Sequence, residues 1–157
     1  MSVTAKRLEE LGLTLPQPAA PVANYVPYAR AGSLLFISGQ LPLGPDGKLA
    51  PAHIGKLAAD SPIEAASEAA RRCAINLIAQ AQAALGDLDR IAQVVRLGGF
   101  FSVDGEFGAL PQAMNGASDL MAAVFGTRGR HTRTTVGVAH LPLGALVEVE
   151  ATFEISA

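Results

Sequence analysis

The chain carries near its C-terminus the stretch Thr132-Arg133-Thr134-Thr135-Val136-Gly137-Val138-Ala139-His140-Leu141-Pro142, closed by Leu146-Val147-Glu148-Val149-Glu150. Apolar and polar residues alternate along both segments, which predicts two β-strands joined by a short Pro-Leu-Gly turn. In the second strand the apolar residues from Val147 to Ile155 alternate with the carboxylates Glu148, Glu150 and Glu154. Alternate residues of a strand point to opposite faces, so we expect the carboxylates to face away from the core.

The first of these two strands also carries charge. Assigning Val136 and Val138 to the core leaves Arg133, Thr135 and Gly137 on the face of the carboxylates. The pattern therefore predicts a guanidinium and several carboxylates on the side of the sheet that does not cover the core. A monomer's hydrophobic core does not explain such a face.

Composition limits the class of protein. The chain has 157 residues, enough for one domain with a core of its own, and a formal net charge of -2, which gives no global attraction for nucleic acid or anionic membranes. Only 17% of its residues are charged although 50% are hydrophobic, which favours surface hidden in an oligomer. No apolar run is long enough to span a bilayer, and charged residues interrupt the leucines at the N-terminus. We expect a cytoplasmic protein.

The single cysteine and the three histidines indicate neither a disulfide nor a metal site. Cys73 lies on the apolar face of a predicted helix, where a buried, inert thiol is expected. The histidines His53, His131 and His140 show no metal-ligand spacing, although His131 could line the rim of a cleft. Gly98-Gly99 lacks the pattern of a phosphate-binding loop and indicates close backbone packing in a strand.

The rest of the chain predicts an α+β domain. Residues 1–21 are expected to hold a short helix and a proline-rich linker, and residues 22–157 the domain proper. Further elements predicted by caps, turns and periodicity are the strands Tyr25–Arg30 and Ser33–Gly39 around Ala31-Gly32, a long helix from the capping box Ser61-Pro62-Ile63-Glu64 to Gly86, a buried strand Ile91–Phe101, and a second helix Leu110–Phe125. This order implies a mixed sheet of five or six strands with two long helices on one face, and another chain covering the other face.

These residues resemble the RidA/YjgF family, whose members often carry the label endoribonuclease L-PSP. The C-terminal signature of the family, an arginine, a small residue, a Leu-Pro and a hydrophobic-Glu-hydrophobic strand, is matched by Arg133-Thr134, Leu141-Pro142 and Val147-Glu148-Val149. Ser38-Gly39-Gln40-Leu41-Pro42 matches the end of a family strand, and Tyr25 precedes it at the family spacing. The resemblance implies a chorismate-mutase-like fold and a homotrimer with sites in clefts between subunits.

The resemblance also implies an activity. Well-known members hydrolyse 2-imino or 2-enamino acids to 2-keto acids and ammonia, without a metal or organic cofactor. By resemblance, Arg133 binds the carboxylate of the small metabolite, Glu148 lies near the attacking water, and Tyr25 and Gly39 shape the cleft. Thr135 stands where the family often has a cysteine, and its backbone is expected to help place water. Asn115 matches the usual pocket asparagine with a gap.

Other interpretations stay open at this point. Arg133 could instead form a salt bridge with Glu148 or Glu150, across the hairpin or between subunits. The chain could be a non-catalytic trimer that binds a small carboxylate. RNA cleavage is the third alternative, suggested by the basic run Arg128, Arg130, His131 and Arg133, but this run has no aromatic stacking platform.

Overall fold

Three α-helices and five β-strands make up residues 2–156, the part of the chain that the computed structural model describes. Their order is α1 (Val3–Glu10), β1 (Tyr28–Ala31), β2 (Leu34–Gln40), α2 (Ile63–Leu85), β3 (Ile91–Ser102), α3 (Leu110–Phe125), β4 (Thr132–Val138) and β5 (Val147–Ile155). The strands form one mixed sheet in the order β1-β2-β5-β3-β4, in which only β3 and β4 run parallel. The expected α+β architecture, with five strands and two long helices, is confirmed.

The two long helices end where glycine reverses the chain. Gly86 follows α2 at a φ of 74°, and its N–H donates to the carbonyl of Gln82. Gly126 follows α3 at a φ of 62°, in the left-handed region that glycine adopts without strain. The expected capping box at the start of α2 is wrong. The helix begins at Ile63, after Pro62, and the hydroxyl of Ser61 instead accepts from the N–H of Ala58 at 2.8 Å.

Both long helices cover the same face of the sheet. The odd-numbered residues of β5 from Val147 to Ile155 are buried beneath them, and the Cys73 thiol of α2 lies 3.8 Å from the carbonyl of Val147. Burial raises the pKa of this thiol well above its ordinary value, which keeps it protonated and inert. We call the opposite side of the sheet the open face. Phe36 and Val136 lie on it and remain 43% and 39% exposed.

The last two strands are not neighbours in the sheet, so the predicted hairpin between them is wrong. β3 lies between β4 and β5, pairing parallel with β4 and antiparallel with β5. The connection, residues 139–146, contains the short turn Pro142–Gly144 and crosses the end of β3. A turn signal between two strands therefore indicated a reversal of direction correctly, but not which strands are neighbours. The first predicted strand also begins later than expected, at Tyr28, so Tyr25 lies in the loop before it.

An acidic residue distant in the sequence, in the turn before β3, holds the N-terminal helix. The carboxylate of Asp89 accepts from the N–H of Val3 at 2.7 Å, and from the N–H and hydroxyl of Thr4 at 2.8 and 2.6 Å. Thr4 and Leu8 of α1 are buried as a result. The hydrogen bond from the Thr4 hydroxyl is the main reason that the pKa of Asp89 lies below its ordinary value. Within residues 2–156 no helix is both long and apolar enough to cross a membrane.

We expect Asp89→Ala to lower the free energy of unfolding by about 1–2 kcal/mol at neutral pH, because the first turn of α1 loses its acceptors. Since folding lowers the pKa of Asp89, its contribution is present above the ordinary carboxyl pKa and is lost as the pH falls through the lowered value. Urea unfolding as a function of pH measures this. The matched control is Asp60→Ala at an exposed position. An equal loss in both variants would contradict the prediction.

Candidate functional site

Arg133 lies on the helix-covered face of the sheet, not on the face of the carboxylates. In the parallel pairing of β3 and β4, Arg133 is the partner of Leu97, which is fully buried beneath the helices. Paired residues of neighbouring strands point to the same side. The expectation that Arg133, Thr135 and Gly137 share a face with Glu148 is therefore wrong. It assumed that Val136 points to the core, whereas Val136 lies on the open face.

The guanidinium of Arg133 is fixed by the first half of α3. Nη1 donates to the side-chain oxygen of Asn115 at 2.8 Å and to the hydroxyl of Ser118 at 3.0 Å. Nη2 donates to the carbonyl of Pro111 at 2.8 Å. A guanidinium has five N–H donors, so three are used within residues 2–156 and two remain, on Nε and Nη2. Nε and Nη2 are neighbouring nitrogens on one side of the group, and a guanidinium can bind a carboxylate through two such nitrogens.

No carboxylate within residues 2–156 forms an ion pair with Arg133. Across the described residues the one ion pair joins Arg7 and Glu10, at 3.7 Å. The alternative in which Arg133 forms a salt bridge with Glu148 or Glu150 within the chain is therefore wrong. The arginine keeps its full charge and two donors for a ligand or for another chain.

Thr135 and Asn115 accompany Arg133. Thr135 follows Arg133 by two residues on the same face of β4, and its side-chain hydroxyl is buried with no hydrogen-bond partner in the described part of the chain. A buried hydroxyl left without a partner costs about 1–3 kcal/mol. We call Arg133, Thr135, Asn115 and Ser118 the arginine half-site.

Tyr25, Gly39 and Glu148 lie together at a second place, a cleft of about 510 Å³. We call these three residues the glutamate half-site. Loop residues and two buried glutamines complete the lining of the cleft: Ala19, Ala20, Pro21, Val22, Ala23, Pro27, Gln40, Leu41, Leu43, Gly47, Gln80, Pro142 and Leu143. Gln80 fixes the wall by donating to the carbonyl of Ala19 at 2.8 Å. Tyr25 is 49% exposed at this wall.

Glu148 sits in the cleft because position 39 is a glycine. A Cβ at Gly39 would overlap the carboxylate of Glu148, so a larger residue would displace the carboxylate. Burial is the main cause that raises the pKa of Glu148 above its ordinary value, and the negative charge of Glu150 raises it further. A carboxylate with a raised pKa is a better proton acceptor at neutral pH than an ordinary one.

The two half-sites are separate within one chain. β3 stands between the strands that carry Arg133 and Glu148, which places these strands about 10 Å apart, and the two side chains point to opposite faces. The structure thus groups the six predicted site residues three and three. One chain alone does not bring the guanidinium and the carboxylate to a common ligand.

Ser118 was not predicted as a site residue from the sequence, and His131 was expected only at the rim of a cleft. Ser118 follows Asn115 by three residues on α3, so the two share a helix face, and this spacing could have pointed to it. The carbonyl of Pro111 and the apolar wall at residues 19–23 left no signal in the sequence. No three His, Cys, Asp or Glu side chains come together as a metal site within residues 2–156.

We expect Glu150→Gln to lower the pKa of Glu148 toward its ordinary value, because the substitution removes the neighbouring negative charge. The carboxyl ¹³C shift of Glu148, followed by NMR across a pH titration, measures this. Glu154→Gln is the matched control, since Glu154 lies on the same face of β5 but farther along it. An unchanged titration in Glu150→Gln, or equal shifts in both variants, would refute the assigned cause.

Comparisons with known proteins agree with this fold. The chain is 46% identical to the protein TCP17 of Trypanosoma cruzi, over 97% of this chain and 94% of that protein. The crystal structure of Atu1372 from Agrobacterium tumefaciens, a protein of unknown function, is 46% identical with a TM-score of 0.88 over 98% of this chain and 93% of that one. A structure described as a putative endoribonuclease from Shewanella oneidensis is 39% identical with a TM-score of 0.92, over 98% and 100%.

A more distant structure shares the fold alone. E. coli TdcF, solved with bound serine, is 21% identical with a TM-score of 0.65, over 89% of this chain and 94% of that one. A family model described as "YjgF/chorismate mutase-like, putative endoribonuclease" matches residues 5–155. The chain therefore belongs to the YjgF/RidA family, with its chorismate-mutase-like fold.

Proposed function

We propose that this protein hydrolyses small 2-imino and 2-enamino acids to 2-keto acids and ammonia, in clefts between the subunits of a homotrimer. The observation that carries the proposal is the state of Arg133. Its guanidinium is fixed on α3, keeps a donor on Nε and one on Nη2 without a partner within residues 2–156, and has no carboxylate partner there. Such a group binds the carboxylate of a small acid.

The separation of the half-sites supports assembly. The arginine half-site lies at the edge strand β4, and the glutamate half-site lies across β3 and on the other face of the sheet. When two different surfaces of one chain meet, the contact is heterologous, and copies related by rotation close into a ring. In the proposed trimer, Arg133 of each copy meets Glu148 of the next, so a site draws on two subunits.

The chemistry needs only groups that the chain supplies. With its carboxylate held by Arg133, the protonated imine presents an electrophilic carbon to water. As the C–O bond forms, Glu148 takes a proton from the water, and the electron pair of the C=N bond moves to nitrogen. Glu148 then returns its proton to the nitrogen of the carbinolamine. As the C–N bond breaks, the electron pair of the hydroxyl O–H bond forms the C=O bond and the hydroxyl proton passes to Glu148. The 2-keto acid and ammonia leave, and the departing ammonia takes up this proton and restores the carboxylate. Fixed geometry and a nearby base supply the catalysis, without a metal or organic cofactor.

Thr135 supports a polar ligand near Arg133. Its buried hydroxyl has no partner within residues 2–156 and shares the strand face of the guanidinium. A ligand or water that bonds this hydroxyl removes the cost of leaving it unpaired. The serine bound to TdcF, a protein of the same fold, is a small carboxylate of the size that we propose for this site.

RNA cleavage receives less support from the basic run. Arg128 donates to the carbonyl of Ile91 and to the hydroxyl of Thr4, and Arg133 donates to α3. His131 contacts Ser118 and Gly129. Most of the run is therefore used within the fold rather than presented as a surface for phosphates.

We expect Arg133→Ala to reduce kcat/KM for imine hydrolysis about 100-fold, because two charge-assisted hydrogen bonds to the substrate carboxylate are lost. Freshly generated 2-aminoacrylate, with the surviving imine trapped by semicarbazide, gives the rate. Arg130→Ala, an exposed arginine on the same run, is the control and keeps its activity. Equal rates for wild type and Arg133→Ala would remove the assigned role. Saturable binding of a carboxylate without turnover would favour the non-catalytic trimer instead.

Mixed assemblies test whether the site spans two subunits. Arg133→Ala and Glu148→Gln are each expected to be inactive, whereas an equal mixture, unfolded and refolded together, regains about a quarter of wild-type activity by random assembly of rings. The gain arises where an intact Arg133 meets an intact Glu148 from another copy. A mixture as inactive as its two components, with trimers verified by light scattering, would show that Arg133 and Glu148 do not act together at a site between two subunits.

A further inference from the structure

The hydroxyl of Ser118 lies between the guanidinium of Arg133 and the imidazole of His131. It is 3.0 Å from Nη1 of Arg133 and 2.9 Å from Nε2 of His131. The other ring nitrogen of His131, Nδ1, is 2.6 Å from the carbonyl oxygen of Gly129. Four groups thus form one continuous chain of hydrogen bonds, which ends at the arginine.

The chemistry of the two ends sets the direction of this chain. The guanidinium has donors only, so the oxygen of Ser118 accepts from Arg133. The carbonyl of Gly129 accepts only, so Nδ1 of His131 carries the hydrogen. In the neutral ring Nε2 then carries no hydrogen, and it accepts a hydrogen bond from the O–H group of Ser118. Every donor in this series of hydrogen bonds has one acceptor, and the arrangement fixes a single tautomer of His131.

The end of this series of hydrogen bonds at Gly129 is held against α3. Gly129 is buried in the turn Gly126–Gly129, and a Cβ there would overlap the carbonyl of Met121. This close approach holds the turn against the helix that also carries Ser118 and Asn115. The carbonyl that orients His131 therefore has a fixed position relative to the groups that contact Arg133.

We propose that His131, acting through Ser118, positions the guanidinium of Arg133 for the substrate carboxylate and so sets the affinity of the site for 2-keto and 2-imino acids. The inference rests on the proposed function. Bonds to Asn115 and Ser118 use both hydrogens of Nη1, which stops the guanidinium from turning and so holds its free donors on Nε and Nη2 in one position. His131 and Ser118 are positioning residues, since neither needs to touch the substrate.

The tautomer of His131 tests the hydrogen-bond chain without reference to activity. Long-range ¹H–¹⁵N NMR of the neutral ring is expected to show the proton on Nδ1 in the wild type and in Ser118→Thr. In Ser118→Ala, the Nε–H of Arg133 is expected to exchange with water at least tenfold faster than in the wild type, because the guanidinium loses a fixed partner. A proton on Nε2 in the wild type, or unchanged exchange in Ser118→Ala, would overturn the proposal.

Ligand binding and turnover test the consequence. We expect Ser118→Ala and His131→Asn to weaken the binding of 2-oxobutyrate about tenfold and to raise KM by a similar factor, with kcat within about twofold of wild type. Ser118→Thr keeps the hydroxyl and is expected to stay within about twofold in affinity. His140→Asn, an exposed histidine in the loop after β4, is the matched control and is expected to match the wild type.

The binding, turnover and NMR measurements distinguish a failure of the positioning role from a failure of the proposed function. If the wild type binds 2-oxobutyrate but hydrolyses no imine, the proposed function fails and the binding arm still decides the positioning role. If the wild type binds no 2-keto acid, the proposed function fails. The tautomer of His131 and the exchange rate of the Arg133 Nε–H then decide whether Ser118 and His131 position the guanidinium. Affinity unchanged in Ser118→Ala, or lost equally in Ser118→Ala and Ser118→Thr, overturns the positioning role.

Discussion

The parallel pairing of β3 with β4 is the constraint on which the candidate site depends. It sets Arg133 beside Leu97 on the helix-covered face, whereas the alternation of β5 sends Glu148 to the other face. A guanidinium and a carboxylate that share one domain are thereby prevented from pairing. Because neither forms an ion pair in the part of the chain that the structure describes, each remains available for chemistry that involves a ligand or a second copy.

Two glycines in β3 let side chains on both faces of the sheet approach this strand closely. A Cβ at Gly98 would overlap the carboxylate of Glu150 on the open face, and a Cβ at Gly99 would overlap the sulfur of Met114 beneath the helices. Because Gly99 has no side chain, Met114 of α3 packs directly against β3. Asn115, the next residue of the helix, hydrogen-bonds to the guanidinium of Arg133. Close packing at this glycine pair is thus observed, although side chains lie against it and not the second backbone segment expected from the sequence.

Elements were predictable from the sequence to the extent that they follow local rules. Periodicity and glycine stops predicted α3 at its observed bounds, α2 to within a residue or two, and the β1–β2 hairpin. The face of β4 was not predictable in this way, because the rule that apolar residues face the core fails for Val136, which lies on the open face. The prediction that β4 and β5 are adjacent failed because the turn at Pro142–Gly144 reverses the direction of the chain but does not determine which strand pairs with β5. The family resemblance supplied the six site residues, and only the register divided them between two places.

The division also bears on how Glu148 could act as a base. Burial and the charge of Glu150 raise its pKa in the isolated chain, whereas a guanidinium brought near it in the proposed trimer would lower that pKa and weaken the base. A substrate carboxylate bound to Arg133 offsets the positive charge, so the basicity of Glu148 recovers when the site is occupied. This recovery requires that Arg133 does not itself pair with Glu148. Hydrogen bonds to Asn115, Ser118 and Pro111 hold the guanidinium against α3. The substrate carboxylate therefore binds at the arginine, and the arginine does not move to the glutamate.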